Sequence, residues 1–117
     1  REQYLEKITE LIGDDIRIEV IENARAVETT FDGLLVDGMA AALRAEDPSA
    51  VPVPYLMSGG TDAKAFDRLN IRCFGFSPLL LPTDLDFFGM FHAVNERVPV
   101  SSLQFGVRVL DRFLRAA

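Results

Sequence analysis

Val51-Pro52-Val53-Pro54-Tyr55-Leu56-Met57, followed by Ser58-Gly59-Gly60-Thr61-Asp62 and then by Ile71-Arg72-Cys73-Phe74-Gly75-Phe76, is the stretch on which the fold turns. Residues 51–57 read as a short apolar strand. Pro52 and Pro54 donate no backbone hydrogen bond, so its start belongs away from the centre of a sheet. Residues 62–69 read as a short helix and 71–76 as a second strand. Strand, helix and strand within about 25 residues predict a compact crossover unit and an α/β fold.

Working upstream, Phe31, Leu35, Met39, Ala42 and Leu43 form the stripe of a helix that starts from a cap at Thr30 or Asp32 and runs to about Ala45. Gly33 and Gly38 either weaken this helix or allow close packing, and Asp47-Pro48 ends it. Residues 22–30 lack periodicity and read as a linker. Before them, Tyr4, Leu5, Ile8, Leu11 and Ile12 share one face of a helix stopped by Gly13. Ile16, Ile18 and Val20 alternate with Arg17 and Glu19, as in a half-buried strand.

Working downstream, residues 77–90 look irregular. Pro99 precedes a last helix, for which Ser101 and Gln104 suggest a capping box. Leu103, Val107, Leu110 and Leu114, with Phe113 beside them, are the predicted buried face. Arg108, Asp111, Arg112 and Arg115 take the other side, and Arg112 and Arg115 suit the negative end of the helix dipole.

The 117 residues are about one domain, and 49% apolar content with nine Phe is enough for a core. The chain opens at Arg1 and reads as cut from something longer. A net charge of −6 without a basic cluster argues against nucleic acid and anionic membranes as partners. The single Cys73 allows no internal disulfide and is expected to be a buried, inert thiol. No signal peptide and no run of about 18 apolar residues is present. A cytoplasmic location is the expectation.

Two stretches could carry chemistry. Ser58-Gly59-Gly60-Thr61-Asp62 joins a predicted strand to a predicted helix, and it reads either as an anion site or as a tight turn capped by Thr61 or Asp62. It is not a phosphate loop, because the Gly-x4-Gly-Lys-Ser/Thr spacing is missing and Lys64 is misplaced for it. Phe91-His92-Ala93-Val94-Asn95-Glu96-Arg97-Val98-Pro99 holds the only histidine. Imidazole binds zinc and carries protons, but a lone His can equally be structural or solvated. Asp84 and Asp86 with His92 match no compact ligand motif and are expected to be solvated. Glu96 and Arg97 could pair with each other, or Arg97 could anchor the segment. Any metal site would need ligands from outside this chain.

Taken in order, Ser58-Gly59-Gly60-Thr61-Asp62-Ala63, Gly75-Phe76-Ser77-Pro78 and His92-Ala93-Val94-Asn95-Glu96-Arg97-Val98, closed by an amphipathic helix, resemble the C-terminal end of a zinc-dependent metallopeptidase family. That family includes aminoacylase, acetylornithine deacetylase, succinyl-diaminopimelate desuccinylase and glutamate carboxypeptidase. The resemblance covers about residues 30–117. It implies that residues 31–117 are the C-terminal part of a mixed-sheet α/β catalytic domain. Residues 1–22 would be the last helix and strand of an inserted lid or dimerisation domain, and 23–30 the linker.

It further implies two zinc ions in the complete protein, with His92 as a metal ligand and Gly59, Gly60 and Thr61 holding the substrate's carboxylate. The expected reaction is hydrolysis of the amide bond of a dipeptide or N-acyl amino acid, with metal-activated water and a Glu base. No catalytic residue is expected within this chain, and the fragment alone is expected to be inactive. The implied partners are a small carboxylate substrate and, where the protein is a homodimer, a second copy. Ala93 stands where the family has Gly, and Asn95 where Asp is frequent. The alternative is a non-catalytic anion-binding or assembly domain derived from such a peptidase.

Overall fold

A computed structural model describes residues 2–13, 15–21, 26–57 and 59–116. They form four α-helices, α1 (Glu2–Ile12), α2 (Leu34–Glu46), α3 (Ala63–Asp67) and α4 (Val100–Ala116), and one 3-10 turn, Phe88–Met90. Residues 23–25 of the predicted linker and Ser58 of the predicted turn lie outside the described residues.

The core lies between α2 and α4, the two helices that pack against each other among the described residues. Ala42, Phe105 and Val109 are buried at its centre, and Leu43, Phe76 and Phe113 close around them. Val36 and Met39 are also buried on α2. Small residues permit the close approach. A Cβ on Gly38 would stand 3.3 Å from the Phe113 ring, and one on Gly106 would stand 2.9 Å from the Pro78 carbonyl oxygen. The segment 76–80 crosses α4 at that point. Phe76 meets Phe113 edge-on at 5.8 Å, and the buried Ser102 hydroxyl donates to the Leu80 carbonyl at 2.6 Å. At the edge of the pair, the Glu46 carboxylate accepts from Arg108 Nε at 2.7 Å and from Arg112 Nε at 2.6 Å.

The helix ends follow local chemistry. Gly13 takes φ 77° and its N–H closes onto Thr9 O at 2.9 Å, so α1 stops where the glycine predicted. After α3 the chain makes a Schellman ending. Asn70 sits at φ 57°, its N–H bonds Asp67 O at 3.0 Å, and Ile71 N–H reaches back to Phe66 O at 3.1 Å. The capped unit therefore spans nearly the predicted 62–69. Neither Thr30 nor Asp32 caps α2. Gly33 is the N-cap residue, at φ 93°, with no side-chain bond. Thr30 and Asp32 are instead gathered by Arg72, whose Nη2 lies 2.9 Å from Thr30 O, 3.0 Å from Asp32 O and 2.7 Å from Asp32 Oδ1. The same guanidinium lies over the Phe74 ring. α4 begins one residue before the expected capping box, with Pro99 O accepting from Ser102 and Leu103.

The α/β expectation is overturned: the described residues contain helices and no strand. The mixed-sheet catalytic fragment and the lid strand are not formed among them. Residues 16–20, 51–57 and 71–76 run without a paired neighbour. Apolar alternation fixes which way side chains point, whereas a strand also needs a second backbone at about 4.8 Å to take its hydrogen bonds. Pro52 and Pro54 remove two donors from the middle segment. Ile16, Ile18, Val20, Val51, Val53 and Tyr55 all remain exposed.

The predicted face of α4 is corrected as well. Ser102, Phe105, Gly106 and Val109 are the buried residues, while Val107 is 66% and Leu114 70% exposed, with Leu103 and Leu110 also exposed. Of the predicted α2 stripe, Phe31 lies before the helix and is exposed, Leu35 is exposed, and Val36, outside the stripe, is buried. Cys73 is half-buried, not buried, with its thiol 3.7 Å from Ile71 O.

Candidate functional site

The turn before α3 is held by Thr61. Its Oγ1 accepts from Ala63 N–H at 3.3 Å and its carbonyl accepts from Lys64 N–H at 3.3 Å. Asp62, the other predicted cap, makes no side-chain bond to the helix. Because a hydroxyl has one donor and two acceptor sites, Thr61 keeps its O–H to offer outward. Gly59, Gly60 and Thr61 are exposed. A Cβ on Gly59 would find Met57 Cε at 3.9 Å, and one on Gly60 would find Lys64 Nζ at 3.5 Å. The glycines therefore leave open room above the turn, bounded on one side by an ammonium group. α3 is a single short turn of five residues, too brief to develop the dipole of a full helix.

The second segment is built by Asp86 and a group of aromatic rings. Asp86 Oδ1 accepts from Gly89 N–H at 3.0 Å and so starts the 3-10 turn. Phe87 and Phe91 meet edge-on at 4.9 Å, and Phe88 and Phe91 at 5.6 Å. Immediately after Phe91, His92 takes φ 57° and is exposed. Histidine is among the few non-glycine residues that tolerate this region, at a cost. Ala93 N–H bonds Met90 O at 3.0 Å and Glu96 N–H bonds Ala93 O at 3.2 Å, so turns hold His92 on both sides. Arg97 donates to the Asn95 carbonyl at 3.0 Å, in keeping with an anchoring role.

Among the described residues the two segments meet at Tyr55 and Phe88, whose ring centroids lie 6.0 Å apart. Tyr55 is four residues before Gly59 and Phe88 four before His92. Sequence reasoning missed this ring cluster and the placement of Lys64. The crowding of Phe87, Phe88 and Phe91 around a single glycine was the available signal for the first.

The match that decides the family spans nearly the whole chain: residues 4–116 match the description Peptidase family M20/M25/M40. The chain belongs to this peptidase family. No curated protein and no solved structure matches it.

Members of the M20 family are typically zinc-dependent hydrolases. Among the described residues no three His, Cys, Asp or Glu side chains come together to hold a metal ion. Asp86, the nearest acid before His92 in sequence, is occupied with Gly89 N–H. The described residues of this M20 chain therefore supply one imidazole, His92, and do not amount to a metal shell. Among the described residues no helix is long and apolar enough to cross a membrane. A shallow groove on α1, lined by Glu2, Leu5, Glu6, Thr9, Glu10 and Gly13, contains neither candidate segment.

Proposed function

We propose that this chain is part of a di-zinc metallopeptidase or amidohydrolase that cleaves the amide bond of a dipeptide or N-acyl amino acid, of the kind performed by aminoacylases, deacetylases and carboxypeptidases. The observation that carries the reading is the family match across residues 4–116, which contains both Gly59-Gly60-Thr61 and His92. The exposed imidazole, set out from the chain at a left-handed position between two turns, is suited to bind from one side. In this reading His92 contributes one zinc ligand. The turn at Gly59, Gly60 and Thr61 holds the substrate's carboxylate with backbone N–H groups and the Thr61 hydroxyl. The base and the remaining ligands come from other sequence, and the 117 residues alone do not turn over substrate.

The test is made in the complete protein. His92→Ala is expected to lower zinc-dependent hydrolysis at least a thousandfold and to reduce the bound zinc. Normal turnover with undiminished zinc would defeat the ligand assignment.

A second reading, an anion-binding or assembly domain derived from such a peptidase, is favoured by the exposed apolar side chains of Leu103, Val107, Leu110 and Leu114 on α4. A complete protein that sediments as a homodimer and hydrolyses no amide with zinc would move the conclusion to that reading.

A further inference from the structure

Lys64 has no role in the reading of the turn given so far. Its side chain is half-buried and folds back over the preceding turn, with Nζ 3.5 Å from the position a Gly60 Cβ would take. Among the described residues Lys64 makes no ion pair, as Arg44, Arg68 and Arg97 make none, so what sets it apart is where its ammonium stands. A lysine on an exposed one-turn helix gains most hydration by extending into water. Here the ammonium instead stands beside the open face left by Gly60.

The charge balance gives that position meaning. Asp62 lies in the same turn, is exposed and makes no capping bond. On its own it would repel an incoming anion. Lys64 offsets that charge and adds a cationic donor to the outward Thr61 hydroxyl. We propose that Lys64 is a substrate-binding residue whose ammonium pairs with the free carboxylate of the substrate over Gly60. The proposal rests on the hydrolase reading above and names the group that makes the site select an acid over its neutral amide. Charge-assisted hydrogen bonds to a carboxylate are stronger than neutral ones, so loss of the ammonium should be felt by the acid and hardly by the amide.

The experiment uses the complete, zinc-loaded protein and paired substrates: N-acetyl-methionine with N-acetyl-methioninamide, and Gly-Leu with Gly-Leu-amide. The wild type is expected to prefer each acid. Lys64→Met is expected to raise KM for the acid about tenfold, leave kcat within about twofold, and shift the amide little, so that the acid/amide ratio of kcat/KM falls about tenfold. Lys64→Arg is expected to keep most of the preference, which separates charge from a general loss of fold. An unchanged acid/amide ratio in Lys64→Met, with the wild type active and selective, would overturn the assignment of Lys64 while leaving the hydrolase reading in place. A wild type that cleaves none of the four compounds would overturn the hydrolase reading and this proposal with it.

Discussion

Gly106 lets the chain that crosses α4 lie close against it. An added Cβ would stand 2.9 Å from Pro78 O, a backbone atom, and 3.3 Å from Leu79 Cδ2. Alanine is the better helix former by about 1 kcal/mol, but overpacking against rigid backbone costs about 1–3 kcal/mol. Gly106→Ala is therefore expected to destabilise the helix pair, by about 1 kcal/mol net, and to lower the urea midpoint; a raised midpoint would contradict the close approach. Neither Gly106 nor Ser102 could be found by searching for large apolar side chains, because their contribution is the room they leave and the hydroxyl that reaches Leu80 O. His92 was legible as a candidate from its rarity alone. Its left-handed backbone was not, since that conformation is set by hydrogen bonds from Ala93 and Glu96 on either side.

Among the elements, all four helices were legible within a few residues because their stop signals are local: Gly13, Asp47-Pro48 and the Asn70 turn. Which face of α4 is buried was not legible. Residues 102, 105, 106, 109 and 113 and residues 103, 107, 110 and 114 both follow helical spacing, and periodicity cannot rank two apolar stripes on one helix. The strands failed for a related reason, since pairing depends on a partner that alternation does not reveal. What orients α4 on α2 includes Glu46, whose side chain is 11% exposed and bound by two arginines. The hydrogen bonds from Arg108 and then Arg112 hold its carboxyl below the usual range. A folded-state value below the unfolded one, about 4.3 for glutamate, stabilises the fold above that pH, and the contribution is lost as pH falls through the lowered folded value. Glu46→Gln should thus destabilise at pH 7 and lose its difference from wild type as the pH is taken below about 4; a difference that stays constant down to pH 3 would show that the charge is not what matters.

Across the whole molecule, packing is concentrated in one place. The accessible surface is 10007 Å², whereas a folded chain of 13.0 kDa would show about 6,300 Å². The radius of gyration is 18.7 Å, against about 13 Å for a compact domain of this length. Long-range ties outside the helix pair therefore matter, and the Arg72 clasp on Thr30 and Asp32 is one of them. Its arginine is half exposed, so its worth is discounted to about 1 kcal/mol. Arg72→Met should speed amide hydrogen exchange in the first turn of α2, read at Asp37, by roughly fivefold, and an unchanged rate would mean that the clasp does not restrain the helix start.

The pairing of α2 with α4 also sets an order of events during synthesis. The last residue of α2 is Glu46 and the first of α4 is Val100, 54 positions later (100 − 46). At about 5–20 residues per second the ribosome takes roughly 3–11 s to bridge them. For that time Val36, Met39 and Ala42 have no partner, and the nascent chain presents them to whatever chaperone or neighbouring chain is at hand.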